Sequence, residues 1–159
     1  LSDWADHLTT IFPEVRLKQF LEMRGADGGP WNRICALPAF WVGILYDQNS
    51  LDAAWDVCKK WSAEQRDELR LSAAKHGLDG VVDNISLQNL AKEILAISYS
   101  GLKARNRMSA SYPQRDETHF LDILVQSAET GLTPADELTL DYREKWNKNT
   151  DKIFEEYSY

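Results

Sequence analysis

Phe12-Pro-Glu-Val-Arg-Leu-Lys-Gln-Phe-Leu-Glu-Met-Arg-Gly-Ala-Asp-Gly-Gly-Pro-Trp31 is the stretch whose reading decides the fold, because only there do charged residues alternate with apolar ones in strand register. A period of two puts Val15, Leu17, Leu21 and Met23 on one face and Arg16, Lys18, Phe20, Glu22 and Arg24 on the other. The spacing predicts one long β-strand from Glu14 or Val15 to about Arg24, with the first face as core. The second face gathers three cations and one carboxylate within about 30 Å, at roughly 3.3 Å per residue. That density costs self-repulsion unless something anionic or metallic lies opposite, so the pattern predicts a phosphate and metal surface. Gly25, Gly28 and Gly29 then allow tight or left-handed backbone, and Pro30 suits the first position of a helix beginning at Trp31. A strand, a Gly-rich turn and a helix invite comparison with phosphate loops, but neither GxGxxG nor a GK[ST] ending is present.

Upstream, Ser2 to His7 reads as a short capped helical turn, and Pro13 interrupts the β-rich run before it joins the strand. Downstream the chain reads as helical nearly to its end. Residues Trp31 to Asp47 are apolar on almost every side, which predicts a buried helix that Pro38 breaks or kinks into two pieces. Ser50 is expected to cap a helix through Leu51, Ala54, Trp55, Cys58 and Trp61. Ser62-Ala-Glu-Gln65 is a capping box, and Gly77 closes the helix it opens. Ser86 opens another through Leu102, with Lys103, Arg105 and Arg107 as its basic end. Residues 108–114 read as loop. A helix from Phe120 ends at Gly131, Thr133-Pro134 starts the next, and the tail docks through Ile153, Phe154 and Tyr157. The strand's apolar face is expected to be covered through Trp41, Leu45, Trp55 and Leu95.

With 159 residues and 43% hydrophobic content, the chain is long enough for one domain with a real core. Six Trp, six Tyr and five Phe need a packed interior or an interface to cover them. A net charge of −7 argues against nucleic acid and against an anionic membrane as partner. No apolar run approaches the roughly 20 residues of a membrane span. Cys35 and Cys58 are too few and too loosely spaced for a disulfide scaffold or a zinc site, which fits a reducing compartment and predicts the cytoplasm. Leu1 in place of Met, together with a strand so near the start, predicts a piece of a longer protein.

Thr9-Thr-Ile-Phe-Pro-Glu-Val-Arg-Leu-Lys18, Phe20-Leu-Glu-Met-Arg-Gly-Ala-Asp-Gly-Gly-Pro-Trp31 and Cys35-Ala-Leu-Pro-Ala-Phe-Trp-Val-Gly43 together resemble the C-terminal part of the glutamate-cysteine ligase family shared by plants and many proteobacteria. Similarity continues through Gly131-Leu-Thr-Pro-Ala135 and Asp151-Lys-Ile-Phe-Glu-Glu-Tyr157, but residues 72–86 and 108–114 do not follow the family closely. The resemblance implies an α+β fold, a mostly helical fragment whose one long N-terminal β-strand contributes to a glutamine-synthetase-like antiparallel sheet. Residues 1–159 would form the C-terminal portion of a larger catalytic domain, with 1–29 the strand and Gly-rich turn of the active site and 30–159 a helical packing region. It implies ATP-dependent joining of the glutamate γ-carboxylate to the cysteine amine, the first step of glutathione synthesis. Glutamate, cysteine and ATP would be substrates, Mg²⁺ the cofactor and the missing N-terminal portion the protein partner. A plant member would reside in a plastid.

Activating a carboxylate as an acyl phosphate requires metal ions and cations to offset charge on the transferring oxygens. The resemblance makes Glu22 the Mg²⁺ ligand and Arg24 the phosphate contact and catalytic residue. Arg16 and Lys18 are candidates for substrate or nucleotide contact, with a solvated or sheet-bridging role as the alternative. Trp31 is a candidate for stacking on substrate, against core packing. Asp27 either orients Arg24 or caps the following helix. Cys35 stands where plant members carry a redox-controlled cysteine, against a buried structural thiol, and Cys58 reads as core. His7, His76 and His119 lack ligand spacing. A different class of function, a noncatalytic helical module whose basic strand face meets an acidic partner, fits the same residues.

Overall fold

A computed structural model describes residues 2–9 and 13–157. The first helix, α1 (Ser2–Thr9), precedes two short strands, β1 (Val15–Leu17) and β2 (Leu21–Met23). These pair antiparallel, with Val15 opposite Met23, Arg16 opposite Glu22 and Leu17 opposite Leu21. The expected single long strand is therefore a hairpin, reversed over Lys18, Gln19 and Phe20. A three-residue loop preserves the parity of the alternation, so Val15, Leu17, Leu21 and Met23 still share one face. That face is not core, however. Leu17 is 80% exposed and Leu21 56%, and the hairpin makes no extensive contact with any helix. The helices expected to cover it pack on one another instead.

Beyond the hairpin the described chain is mostly helical, confirming the broader α+β expectation. α2 (Trp31–Leu45) runs through Pro38 as one helix, contrary to the expected division. Proline removes one backbone donor, and packing elsewhere along the helix outweighs that loss. α3 (Gln48–Cys58) begins before Ser50 and ends before Trp61, so Ser50 is not its cap. Ser50 is buried and its hydroxyl donates to the Ile97 carbonyl at 3.2 Å. α4 (Ala63–His76) carries the expected capping box, with Ser62 Oγ accepting from the Gln65 N–H and Gln65 Oε1 from the Ser62 N–H. Gly77 ends it at φ +56°.

A second hairpin, β3 (Val81–Val82) with β4 (Ile85–Ser86), escaped the sequence reading. Asp83 and Asn84 turn it with both φ positive, at 47° and 66°, the conformation that a tight two-residue hairpin requires. Ser86 caps α5 (Leu87–Arg105) by accepting from the Asn89 N–H. A 3₁₀ turn (Glu117–Leu121) leads into α6 (Asp122–Thr130), which Gly131 closes at φ +77°. Thr133 caps α7 (Pro134–Leu140), a π turn follows (Asp141–Lys145), and α8 (Lys152–Glu156) brings Tyr157 back to donate to Asp141 at 3.0 Å.

The core lies where α2 crosses α5, the most extensive contact in the described chain. Leu102 and Leu121 are fully buried there with Ala39, and Phe40, Val42, Phe120, Leu124 and Val125 pack around them. Gly43 and Gly101 face each other so closely that the backbones themselves touch. Ser98 Oγ donates to the Phe40 carbonyl at 2.8 Å, pairing polar groups that the close approach buries.

The loop after α5 is fastened by Asp116. Lys103 Nζ donates to its carboxylate at 2.5 Å and the Thr118 N–H at 3.2 Å, and the Thr118 hydroxyl donates to it as well. Lys103 and Thr118 hold the Asp116 carboxyl at about 2, below its ordinary 3.8. A depressed folded-state pKa gives stability that is present above the unfolded value and is lost as pH falls through the folded one. Asp116→Asn is therefore expected to lower stability at neutral pH and to flatten the acid limb between about pH 4 and pH 2. Urea titrations of both proteins across that window check it, and parallel acid limbs would show that Asp116 does not fasten the loop.

Candidate active site

Among the sequence-predicted site residues, Arg16 and Glu22 are brought together directly. They are cross-strand partners, and Arg16 Nε donates to Glu22 Oε2 at 2.7 Å with both side chains about one-quarter to one-third exposed. The Arg16 hydrogen bond is the main force holding the Glu22 carboxyl below its ordinary range; desolvation opposes it, and Arg16, Lys18 and Arg24 each add a weaker electrostatic attraction. Glu22 is therefore firmly anionic at neutral pH. The expected choice for Arg16 between sheet bridging and substrate contact acquires a geometric fact: its guanidinium spans the hairpin.

Arg24 lies one residue beyond β2, where its N–H donates to the Glu14 carbonyl at 2.7 Å and extends the pairing by one rung. Lys18 sits in the reversal and is exposed. The hairpin thus concentrates three cations around one carboxylate, as the alternation implied, by folding the strand back on itself rather than by extending it.

Trp31, expected mainly as core, is 75% exposed at the start of α2. Asp27 does not cap that helix, which has Pro30 at its N-cap and no side-chain cap bond. Cys35 and Cys58 are free thiols, each half-buried, and Cys58 Sγ lies 3.6 Å from the Trp55 carbonyl. His119 lies in a cluster with Tyr112 and Phe120 and bonds the Asp116 carbonyl through Nδ1 at 2.7 Å. Trp4 and His7 stack in α1 at 5.7 Å between ring centroids.

Glu22 fits a magnesium ligand in chemical type, being an ionised, partly exposed oxygen donor. It fits only as one ligand of a set, because no group of three or more His, Cys, Asp or Glu side chains gathers among the described residues. Arg16, seated on Oε2, would compete with a metal for that oxygen.

The alternation could not reveal Arg33. It stands in the first turn of α2 and its guanidinium reaches Ser127 and Glu137, and a charged residue opening an otherwise apolar helix is its only sequence signal.

Compared with known proteins, residues 1–156 match the family model described as glutamate-cysteine ligase family 2 (GCS2). The chain is 48% identical over 159 residues to the chloroplastic glutamate-cysteine ligase of Solanum lycopersicum, covering all of this chain and 29% of that protein. It is 46% identical to the chloroplastic enzyme of Nicotiana tabacum, again over all of this chain and 29% of the relative. Against the Arabidopsis thaliana chloroplastic enzyme the identity is 44% over 158 residues, 99% of this chain and 29% of the relative. The chain thus spans under one-third of the length of these relatives. Their names place them in chloroplasts and lend nothing to the expected cytoplasmic location, while no helix among the described residues is long and apolar enough to cross a membrane. With the family's model matched from residue 1 to residue 156, this chain belongs to glutamate-cysteine ligase family 2.

Proposed function

We propose that this chain is the C-terminal portion of an enzyme that joins the glutamate γ-carboxylate to the cysteine amine at the expense of ATP, giving γ-glutamylcysteine for glutathione synthesis. The observation that carries the reading is a family match along nearly the whole chain, which includes a hairpin where one ionised carboxylate stands among three cations. The reaction needs that combination. Mg·ATP, when bound, supplies the phosphoryl group that turns the glutamate carboxylate into an acyl phosphate, with ADP as the product. Of this chain's residues, Glu22 would hold Mg²⁺ through its carboxylate. Arg24 would offset charge on the transferring oxygens, with Lys18 and Arg16 contributing to the same field. Trp31 offers an exposed ring on which a substrate or nucleotide could stack.

The surface supports a portion that expects more protein around it. At 18.2 kDa, a free-standing globular protein exposes roughly 8,100 Å² by the usual size scaling. This chain exposes 11425 Å². Part of the excess is the hairpin's apolar face, which belongs in an interior. In the proposal an upstream portion of the enzyme covers it and supplies the remaining metal carboxylates and substrate contacts. The relatives' location makes a plastid the first compartment to test.

A coupled ADP-release assay on the full-length protein, with glutamate and a panel of amines, tests reaction and acceptor together. ADP release that does not depend on glutamate would end the proposal. The 159-residue chain alone is expected to be silent in the same assay and to bind Mg·ATP only weakly, since one carboxylate, with water in most of the other positions, holds Mg²⁺ weakly. Glutamate-dependent turnover by the isolated chain at an ordinary enzymatic rate would refute that expectation.

A further inference from the structure

Arg33 ties the segment behind the site to the helical body. Its backbone N–H donates to the Pro30 carbonyl at 2.8 Å, so its own position is locked to the end of the Gly-rich segment. Its guanidinium leaves α2 and reaches two later elements: Nη1 and Nη2 lie 3.4 and 3.3 Å from Ser127 Oγ of α6, and Nη2 lies 3.3 Å from Glu137 Oε2 of α7. The side chain is only 16% exposed. The aliphatic stem is equally engaged, because a Cβ at Gly29 would stand 3.2 Å from Arg33 Cβ and 3.4 Å from Cδ. Residue 29 rests on the stem while the fork is held from below. A planar fork with its stem and head both enclosed sets position more tightly than a point charge on a mobile chain could.

We propose that Arg33 is a positioning residue, which seats the 24–30 segment on α6 and α7 and thereby fixes where Arg24 and Trp31 stand relative to one another. This rests on the ligase reading for its catalytic consequence, though not for its structural one. Arg24 and Trp31 bracket the segment, and the hairpin that carries Glu22 has no broad helical support of its own. Arg33 supplies a firm seat at the far end of the segment, while at its near end Glu14 lies 3.9 Å from Arg70 of α4. Misplacing a reacting or charge-stabilising group by about 1 Å can cost on the order of 10²-fold in rate.

The test uses the full-length enzyme with two readouts, steady-state kinetics well below the melting temperature and amide hydrogen exchange followed by mass spectrometry. Arg33→Met keeps the stem and removes the fork. It is expected to lower kcat by about 10²-fold while KM values stay within about threefold. Exchange over residues 24–34, where the Arg24, Arg33 and Ile34 amides donate to Glu14 and Pro30, should quicken while that of α5 is unchanged. Arg33→Lys, which can reach one acceptor, should recover part of the loss. Ser127→Ala combined with Glu137→Ala removes both acceptors without touching α2 and should reproduce the kinetic change, so the proposal stays testable if Arg33→Met does not fold. Gly29→Ala, whose Cβ would press on Arg33 Cβ at 3.2 Å and Cδ at 3.4 Å, should also lower kcat.

Turnover within about a factor of two of wild type in the acceptor double variant, with exchange over 24–34 unchanged, overturns the proposal. So does a kcat loss that vanishes at temperatures where every variant is fully folded. If the wild-type enzyme itself shows no glutamate-dependent ADP release, the ligase reading fails, while the exchange data still decide whether Arg33 seats the segment.

Discussion

Gly101→Ala is expected to cost more than about 3 kcal/mol of stability, the largest effect of any single methyl group in this chain. An added Cβ there would lie 1.8 Å from the Gly43 carbonyl oxygen and 2.8 Å from Ser50 Oγ. The closest atom belongs to the backbone of the facing helix, so no rotamer change relieves the clash and α2 must move away from α5. Alanine's better helix propensity returns at most about 1 kcal/mol, too little to offset the loss of packing around Leu102 and Leu121. Gly43→Ala should behave in the same way, since its Cβ would lie 2.2 Å from the Ser98 carbonyl oxygen. Gly25→Ala is the control, because its Cβ would meet only Glu14 at 3.7 Å. Urea unfolding of the three variants provides the measurement. A loss under about 1 kcal/mol for Gly101→Ala would mean that the helices separate freely and the crossing does not limit the fold.

Glu22→Gln and Arg24→Lys carry the largest expected effects on activity, measured in the full-length enzyme. Glu22→Gln keeps size but removes the charge, so turnover is expected to fall about 10²-fold or more, and raised magnesium should restore part of it if the lesion is chiefly metal affinity. The same change leaves Arg16 without its 2.7 Å partner. That pair is partly exposed and screened by solvent, so its loss is far too small to account for a 10²-fold fall through unfolding. Arg24→Lys keeps the charge and loses the planar fork, so it should also be severely impaired. If both variants turn over within about a factor of two of wild type and only lower the melting temperature, Glu22 and Arg16 form a structural salt bridge and the catalytic assignment is wrong.

What the sequence by itself determined is whatever a few neighbouring residues settle among themselves. The capping box of Ser62 and Gln65, the caps at Ser86 and Thr133-Pro134, and the stops at Gly77 and Gly131 all stand where the sequence predicts them, because each joins a side chain or a permissive φ to backbone within about four residues. The sharing of a face by Val15, Leu17, Leu21 and Met23 is local in the same sense, since it depends only on parity. Parity is also why the sequence predicts one long strand where the structure has a hairpin. A long strand and a hairpin with a three-residue loop sort the same residues onto the same faces, and Lys18-Gln19-Phe20 holds no Gly, Pro or Asn to mark the reversal. Tertiary structure alone decided the pairing of Arg16 with Glu22, the meeting of Gly43 with Gly101, the burial of Ser50 inside α3 and the reach of Arg33 to Ser127 and Glu137. Apart from the hairpin pair, each joins residues dozens of positions apart. Such contacts depend on how whole helices pack, which no local pattern encodes.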